Sequence, residues 1–331
     1  MSDHVLDLLI VGAGPAGLAT GIAARRQGLD YLVVDKGGLV AGIFRFPTNM
    51  VFFTTPELLE IGGLPFVTPY DKPTRLEALR YYRRVADTFD LSMSFDEEVL
   101  GIAREQAGGR TVFVATGKRR LGEPTVRLAR SVVLATGYYD HPNVLGIPGE
   151  DLPHVSHYYS DPHLYYRKRV VVVGGKNSAA EAALDLHRAG ARVTLVHRGE
   201  AMGDSIKYWV KPDIDNRISE GSITGLFRTS VRSITPTVLH VVNPGGPRAL
   251  PADAVFLLTG YHPDWALLES AGVQIDADHR VARYDPETLE TNVPNLFLAG
   301  GVVSGRDAPP VFIENGRAHG EKIVRTLKER S

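Results

Sequence analysis

Four residues near the start of the chain have the types and spacing needed to bind an adenine dinucleotide. Gly12, Gly14 and Gly17 read Gly-x-Gly-x-x-Gly, and Asp35 follows further along the chain. The first glycine allows a tight turn, the second lets a pyrophosphate approach the backbone, and the third lets the next helix pack closely. A carboxylate at the position of Asp35 accepts hydrogen bonds from ribose hydroxyls. The pattern therefore predicts a dinucleotide site.

The segments around these residues are the ones that such a site requires. Leu6–Val11 is an apolar run too short for a helix, and it suits a buried parallel strand. We predict a helix over Pro15–Gln27 that ends at Gly28. A second strand over Tyr31–Val34 then delivers Asp35. A lone glycine motif is weak evidence, because glycine can serve packing alone, but this order of elements greatly favours a dinucleotide site.

The same order of elements occurs again in the middle of the chain. Arg169–Val173 reads as a strand, and a helix is predicted over Ala179–Arg188 with Gly190 at its end. Arg192–Val196 reads as the following strand. The turn between the first strand and the helix consists of Gly174, Gly175, Lys176, Asn177, Ser178 and Ala179. The repetition predicts a second dinucleotide site.

The second site differs chemically from the first at the end of its second strand. His197 and Arg198 stand where the first unit has Asp35. A guanidinium pairs with a 2′-phosphate, whereas an acid would repel it. We therefore assign the second site to NADP(H); the open alternative is two solvated basic residues. Lys176 stands where glycine is usual, so it either contacts a phosphate through its ammonium or limits how closely the pyrophosphate lies.

The composition argues against several classes of function. The chain has 331 residues, a length for about two domains, and a formal net charge of -1 without a basic block. Nothing in it favours nucleic acid or an anionic membrane surface. No apolar run reaches the roughly 18 residues of a membrane span, and no basic region precedes the first apolar stretch. We expect a cytoplasmic protein, with a homo-oligomer only as a base-rate expectation.

The cysteine count is the most informative number in the composition, because it is zero. The absence of cysteine excludes a CxxC redox centre, an iron–sulfur cluster, a catalytic thiol and a disulfide. Any redox chemistry must therefore be carried by a bound cofactor. We predict no metal site.

Two similar strand ends define the predicted domain organisation. Leu134-Ala-Thr-Gly-Tyr and Leu258-Thr-Gly-Tyr each close a unit that began with a glycine turn. Such a duplication indicates two nucleotide-binding folds, the second inserted within the first. We predict an α/β protein with two Rossmann-like, three-layer domains. Residues 1–156 and 257–331 form the first domain, and residues 157–256 form the second.

The remaining segments of the first domain are predicted as follows. Short alternating segments at residues 92–95, 99–102, 111–114 and 125–128 read as antiparallel strands, and a separate buried strand begins at Ser131. An amphipathic helix is expected over Thr74–Phe89. A final helix is expected to begin near Pro310, with its partly positive N-terminus beside a cofactor. The aromatic-rich loop after Gly38 suits either a planar ligand or a buried core.

Together these motifs resemble the thioredoxin-reductase-like flavoproteins over the whole chain. The resemblance implies FAD on the first unit and NADPH on the second. Thioredoxin reductases carry CxxC just before the second glycine strand, but residues 155–161 read Val-Ser-His-Tyr-Tyr-Ser-Asp here, so that activity is excluded. Among relatives without the dithiol, the chain is most similar to the bacillithiol-disulfide reductase family. The segments that support this are residues 46–66, 135–143, 172–179 and 312–320.

The motifs and the resemblance together give a set of candidate binding residues. For FAD they are Gly12, Gly14, Pro15, Ala16, Gly17, Asp35, Lys36, Gly42, Phe46, Thr48, Thr136, Gly137, Gly300 and Asp307. For NADP they are Gly174, Gly175, Lys176, Asn177, Ser178, Ala179, His197, Arg198 and Gly260. Many members of the family carry a cysteine where this chain has Ala16, and many flavoproteins carry an aspartate where this chain has the pair Gly300-Gly301. A mechanism that needs that cysteine cannot operate here.

The resulting hypothesis is an FAD enzyme that takes hydride from NADPH and reduces a small disulfide, bacillithiol disulfide, directly from reduced flavin. His157, Tyr158 and Tyr159 lie near the displaced dithiol position and are candidate substrate-side or proton-donating groups; core packing explains them equally well. One alternative is a ferredoxin- or flavodoxin-NADP reductase of the same architecture. A flavin monooxygenase is less favoured, because no complete FxGxxxHxxx(W/F) run occurs near His157. A non-catalytic NADPH or flavin sensor is an alternative of another class.

Overall fold

The computed structural model describes residues 4–107, 109–305 and 311–330, which fall into two compact units. Residues 1–141 and 261–331 form unit 1, and residues 142–260 form unit 2. The insertion of one unit in the other is as predicted, but the boundaries differ from 156 and 256. The first boundary lies earlier because strand Val155–Ser156 pairs with Ala254–Leu257 inside unit 2.

Seventeen strands are assigned within the described residues, and they are numbered here in chain order. In unit 1 they are β1 (Val5–Val11), β2 (Tyr31–Val34), β3 (Met93–Ser94), β4 (Glu97–Ala107), β5 (Arg110–Arg119), β6 (Pro124–Leu134) and β17 (Leu296–Leu298). In unit 2 they are β8 (Val155–Ser156), β9 (Arg169–Val173), β10 (Arg192–Val196), β11 (Thr224–Leu226), β12 (Ser230–Thr235), β13 (Val238–Asn243), β14 (Gly246–Pro251) and β15 (Ala254–Leu257). The short strands β7 (His141–Pro142) and β16 (Tyr261–His262) belong to the connections.

Nine α-helices accompany these strands in the described part of the chain. Seven belong to unit 1: α1 (Pro15–Arg26), α2 (Ala41–Phe44), α3 (Pro56–Leu59), α4 (Arg75–Thr88), α7 (Trp265–Ser270), α8 (Ile313–Gly316) and α9 (His319–Glu329). Two belong to unit 2: α5 (Asn177–Arg188) and α6 (Lys211–Ser219). Short 3₁₀ turns cover His163–Tyr165 and Gly300–Val303. None of the described helices is both long and apolar enough to cross a bilayer.

The sheet of unit 1 has the order β3-β2-β1-β6-β5-β4, with β17 also paired to β6. Alternation along β1 buries Leu8 and Ile10 with the helices α1, α4 and α9. Leu9 and Val11 face the other layer, which includes residues of β4, β5 and α7. Each face of the parallel sheet is therefore covered, as its uninterrupted apolar strands require.

Two strand predictions in unit 1 were wrong. Residues 92–95 were expected in the antiparallel insertion, but β3 pairs in parallel with β2 at the edge of the main sheet. The segments at 125–128 and from Ser131 were expected as separate strands, but they form the single long strand β6. Its first half pairs antiparallel with β5, and its second half pairs in parallel with β17. The antiparallel layer therefore consists of β4, β5 and the start of β6.

Unit 2 repeats the same three-layer plan. A parallel sheet of order β11-β10-β9-β15-β8 is covered on one face by α5 and on the other by the antiparallel sheet β12-β13-β14. Val170 and Val172 pack on the helical side, while Val171 and Val173 pack on the side of the antiparallel sheet. The predicted α/β class with two Rossmann-like, three-layer domains is confirmed.

Candidate cofactor sites

The glycine turn of unit 1 has the geometry that its sequence predicts. A Cβ on Gly12, which has φ +112°, would overlap the carbonyl oxygen of Ala135, and a Cβ on Gly17 would overlap that of Gly12. Gly14, by contrast, faces open space, with no heavy atom within 4 Å of an added Cβ. The first and third glycines thus allow close packing, and the second leaves room for a pyrophosphate at the N-terminus of α1, which begins at Pro15.

The Asp35 carboxylate at the end of β2 braces this turn from beside it. One oxygen accepts the backbone N–H of Ala13 at 2.7 Å, and the other accepts that of Gly37 at 2.8 Å. A carboxylate has about four lone-pair sites, so both oxygens keep capacity for ribose hydroxyls. The ammonium of the neighbouring Lys36 pairs with Asp140 at 2.8 Å.

An ion pair between the buried Glu97 and the half-buried Arg127 lies behind Asp35. Glu97 is only 1% exposed, its N–H donates to the carbonyl of Asp35 at 2.9 Å, and its carboxylate receives two hydrogen bonds of 2.9 Å from Arg127. Burial alone would raise the pKa of Glu97, but the hydrogen bonds from Arg127 and Ser94 outweigh it and lower that pKa. The pair therefore fixes the backbone from which the Asp35 side chain projects.

The other predicted FAD residues lie in three places. Thr136 follows Ala135 against the Gly12 turn, and Gly137 has φ +67°. Gly300 lies so close to Ala16 that a Cβ on it would be 2.6 Å from the Ala16 Cβ. The structure thus brings the start of α1 together with the ends of β6 and β17. Asp307 lies outside the described residues.

The aromatic loop holds the remaining FAD candidates. Phe46 makes edge contacts with Phe52 and Tyr139, whose ring centroids are 6.4 and 5.1 Å away. Gly42 faces open space, and Thr48 is exposed. Phe52 and neighbouring apolar residues are buried in the core, so packing explains part of this loop. Whether Phe46 or Thr48 contacts a flavin stays a prediction.

The glycine turn of unit 2 is built in the same way. A Cβ on Gly174 would be 2.6 Å from the carbonyl oxygen of Leu258 and 2.7 Å from the Cβ of Ala179. The imidazole of His197 lies directly on Gly175, where any Cβ would overlap the ring. The absence of side chains at Gly174 and Gly175 therefore allows close contact with Leu258 after β15, with Ala179 of α5 and with His197.

The charges near this turn come from Arg198 and Lys176. Both side chains are exposed, and neither forms an ion pair with a described carboxylate. Burial, followed by the charge of Arg198, lowers the pKa of His197 below its usual value. His197 is therefore mainly neutral near pH 7. The positive charge that would attract a 2′-phosphate comes from Arg198 and Lys176.

Asn177 has a role that the motif alone does not reveal. Its amide donates to the carbonyl of Ser205 at 3.3 Å, and its oxygen accepts the N–H of Lys207 at 2.9 Å. Gly203 adds a third bond by donating its N–H to the Gly175 carbonyl at 2.8 Å. The side chain of Asn177 thus holds the segment Gly203–Lys207, which we name the crossing segment, against the turn. Ser178 is exposed beside it.

The last NADP candidate, Gly260, lies at the end of β15. It has φ +93°, and its carbonyl accepts the N–H of Asn143 at 2.9 Å. The side chains of Asn143 and Thr259 also bond each other's backbone carbonyls, at 3.2 and 2.6 Å. Gly260 therefore has a conformational role in this pair of chain segments, and a contact with NADP stays a prediction.

The three candidate catalytic residues contact different groups. Tyr159 is buried in the core of unit 2, where its hydroxyl bonds Asp185 at 2.6 Å and its ring packs edge-on against Phe256. Burial and that carboxylate raise its pKa, which makes it a poor proton donor. His157 lies 3.3 Å from Glu150, and Tyr158 bonds Ser156 through its backbone. The structure favours the packing interpretation for Tyr159.

Two residues beside the sites were not among the candidates. The ring of Tyr138 packs on Gly301, whose added Cβ would lie 2.8 Å from it, and burial followed by Glu314 raises the pKa of Tyr138. His319 accepts the N–H of Gly300 at 3.1 Å. Both lie in segments whose sequence resembles the family, but their partners are distant in the chain. Within the described residues no group of three or more His, Asp or Glu could hold a metal ion.

Two glycine turns on two nucleotide-binding folds, one inserted within the other, define the class of flavoproteins that use a pyridine nucleotide. The chain belongs to the pyridine nucleotide-disulphide oxidoreductase family, whose model matches residues 9–300. It is therefore an enzyme of the flavin-dependent disulphide oxidoreductase type. The family membership supplies the cofactor classes, a flavin and a pyridine nucleotide.

Individual relatives narrow the resemblance. The chain is 41% identical over 325 residues to the bacilliredoxin reductase Bdr of Bacillus subtilis, covering 97% of each chain. The solved structure of the bacillithiol disulfide reductase Bdr (YpdA) from Bacillus cereus matches 99% of this chain and 100% of that one, with a TM-score of 0.95 and 39% identity. Thioredoxin reductase from Lactococcus lactis matches 98% of each chain with a TM-score of 0.76, but at 20% identity it shows the fold alone. The predicted resemblance is confirmed.

Proposed function

We propose that this protein is an FAD enzyme that uses NADPH to reduce bacillithiol disulfide without a thiol of its own. The observation that carries the proposal is the combination of two formed dinucleotide turns with a sequence that contains no cysteine. Electrons that leave the flavin cannot pass through a protein dithiol here, so they must reach the substrate sulfurs directly.

The residues of unit 1 fit FAD. The open space at Gly14 and the N-terminus of α1 suit a pyrophosphate, and Asp35 has spare acceptor capacity for the ribose. In unit 2, Arg198 and Lys176 offer unpaired positive charge for the 2′-phosphate that distinguishes NADPH from NADH. These residues bind and orient; they move no proton in the proposal.

The reaction balances with the cofactors and solvent alone. FAD, when bound, accepts a hydride from NADPH and returns two electrons to a disulfide. The S–S bond breaks, NADP⁺ forms, and two thiols appear after one further proton is taken from solvent. The protein contributes the positioning of the two cofactors, which is where much of such catalysis lies.

The names of the two Bdr relatives reported above specify different acceptors, one a bacilliredoxin and the other bacillithiol disulfide. The test is therefore anaerobic NADPH oxidation with bacillithiol disulfide, bacilliredoxin and ferredoxin in separate reactions. The proposal predicts turnover with bacillithiol disulfide and release of two thiols per NADPH. Turnover confined to bacilliredoxin or to ferredoxin would contradict it, and reduction without turnover by any acceptor would indicate a sensor.

A further inference from the structure

Two glycines, Gly300 and Gly301, follow strand β17, which ends at Leu298. Gly300 has φ +74°, and the 3₁₀ turn Gly300–Val303 begins at this residue. Its N–H donates to the Nδ1 atom of His319, the first residue of α9, at 3.1 Å. Because Nδ1 accepts this bond, the imidazole must be neutral and carry its hydrogen on Nε2.

The surroundings of the histidine favour this neutral form. Burial, followed by the charge of Lys322, lowers the pKa of His319 below its usual value. The imidazole is therefore an acceptor over the physiological pH range. No other described group accepts the N–H of Gly300.

The turn is also enclosed by close contacts. An added Cβ on Gly300 would lie 2.6 Å from Ala16, and one on Gly316 would lie 3.1 Å from the Cα of Gly300. The ring of Tyr138 covers Gly301, where an added Cβ would lie 2.8 Å from it. Packing thus sets where the turn lies, and His319 sets the direction of its first N–H.

The position of the turn gives this bond a consequence. Ala16 is the second residue of α1, the helix whose N-terminus faces the expected FAD pyrophosphate. Since Gly300 and Gly301 have no side chains, a ligand beside this turn would contact their backbone atoms. The orientation of their peptide groups would then affect that contact.

We propose that His319 is a positioning residue for FAD, which fixes the Gly300–Gly301 peptides through its Nδ1 acceptor. The inference rests on the FAD site of the proposed function but not on the identity of the disulfide. The hydrogen bond from Gly300 to His319 orients a turn that has no side chains of its own at Gly300 and Gly301.

The test compares two substitutions at this position. In His319→Asn the amide oxygen lies close to the place of Nδ1 and can accept the same N–H, whereas His319→Leu removes the acceptor. Arg325→Leu is the control, because Arg325 is exposed on the same helix. Apoprotein of each variant is titrated with FAD, and flavin fluorescence and the resolution of the flavin absorption bands are recorded.

We expect His319→Leu to weaken FAD binding about tenfold, since the loss of one buried hydrogen bond costs about 1–3 kcal/mol. His319→Asn and Arg325→Leu should bind within about threefold of the unsubstituted protein. The Leu variant binding FAD normally, or the Asn variant binding as weakly as the Leu variant, would overturn the inference. Unsubstituted apoprotein that takes up no FAD would instead overturn the proposed function, and the inference with it.

Discussion

The imidazole of His197 lies on Gly175, so that any side chain on that glycine would overlap the ring. This contact closes the first βαβ turn of unit 2 with a neutral aromatic group. It leaves the neighbouring Arg198 exposed and without an ion pair among the described residues. The adjacent residues His197 and Arg198 therefore have different roles. The histidine packs against the turn, and the arginine supplies charge.

This separation predicts which substitution changes the preference for NADPH over NADH. Arg198→Gln should raise the KM for NADPH about 10- to 100-fold and leave that for NADH unchanged, because a charged hydrogen bond to phosphate is worth about 1.5–3 kcal/mol. Steady-state kinetics with both nucleotides provide the measurement. Arg192→Gln at the opposite end of β10 is the matched control and should change neither value. An equal loss for both nucleotides would refute the assignment of Arg198.

The bonds of Asn177 predict a local loosening when its side chain is shortened. Asn177→Ala removes two hydrogen bonds to the crossing segment, at a cost of about 1–3 kcal/mol. We expect tryptic cleavage after Lys207 to become about tenfold faster in the nucleotide-free protein, as measured by mass spectrometry. Ser178→Ala, at the adjacent exposed position, should leave the rate unchanged. Equal cleavage rates in the two variants would show that the hydrogen bonds of Asn177 do not hold the crossing segment.

The ion pair behind Asp35, in which Glu97 is buried and Arg127 is half-buried, predicts an effect on stability. Arg127→Met removes two charged hydrogen bonds from the Glu97 carboxylate and leaves it with Ser94 and the more distant Arg119, which costs about 1.5–3 kcal/mol. The urea concentration at the unfolding midpoint should therefore be clearly lower. FAD should also bind more weakly, because the backbone at Asp35 is held less firmly. Arg130→Met, whose parent side chain is exposed and pairs with Asp7, should cost less than about 1 kcal/mol. Similar losses in the two variants would contradict the role of the pair.

Glu181, in α5, predicts a pH dependence of folding. Burial raises its pKa from 4.5 to about 7, and no described group hydrogen-bonds its carboxyl. In the unfolded chain it ionises near 4.5, so native stability falls as pH rises from 4.5 to about 7 and stays lower above that. The penalty is at most about 3 kcal/mol at pH 8.

Glu181→Gln should therefore be more stable than the unsubstituted protein at pH 8 and nearly equal to it at pH 4.5. Thermal unfolding at several pH values measures the difference. Glu321→Gln, at an exposed position in α9, serves as the control for the removal of one carboxylate. Parallel stability curves for Glu181→Gln and the unsubstituted protein would rule out a raised pKa at this carboxyl.

The sequence predicted those features that depend on local order. The strands β2, β9 and β10 have the predicted bounds, and α4 begins one residue after its predicted start, Thr74, which caps it. Apolar runs and periodicity were enough here because they act over short distances. The direction of β3 could not be predicted, since a two-residue strand has the same pattern whether its partner is parallel or antiparallel. The first domain boundary failed for a related reason, because β8 is defined only by its pairing with β15.

The sites divide in the same way. The spacing of Gly12, Gly14 and Gly17 was enough to predict which glycine packs and which faces open space. The partners of Tyr159 and Gly300, by contrast, are Asp185 and His319. A hydroxyl placed against a distant carboxylate, or a peptide against a distant imidazole, depends on how helices pack on the sheet. No local pattern carries that information.

The central claim, that electrons pass to the disulfide without a protein thiol, is tested most directly by a single turnover. Enzyme pretreated with iodoacetamide is reduced anaerobically with one equivalent of NADPH per flavin and then mixed with bacillithiol disulfide. The account predicts that the flavin is reoxidised, that two thiols are released per flavin, and that the pretreatment has no effect. Flavin that stays reduced with the disulfide and is reoxidised only by ferredoxin or oxygen would contradict it.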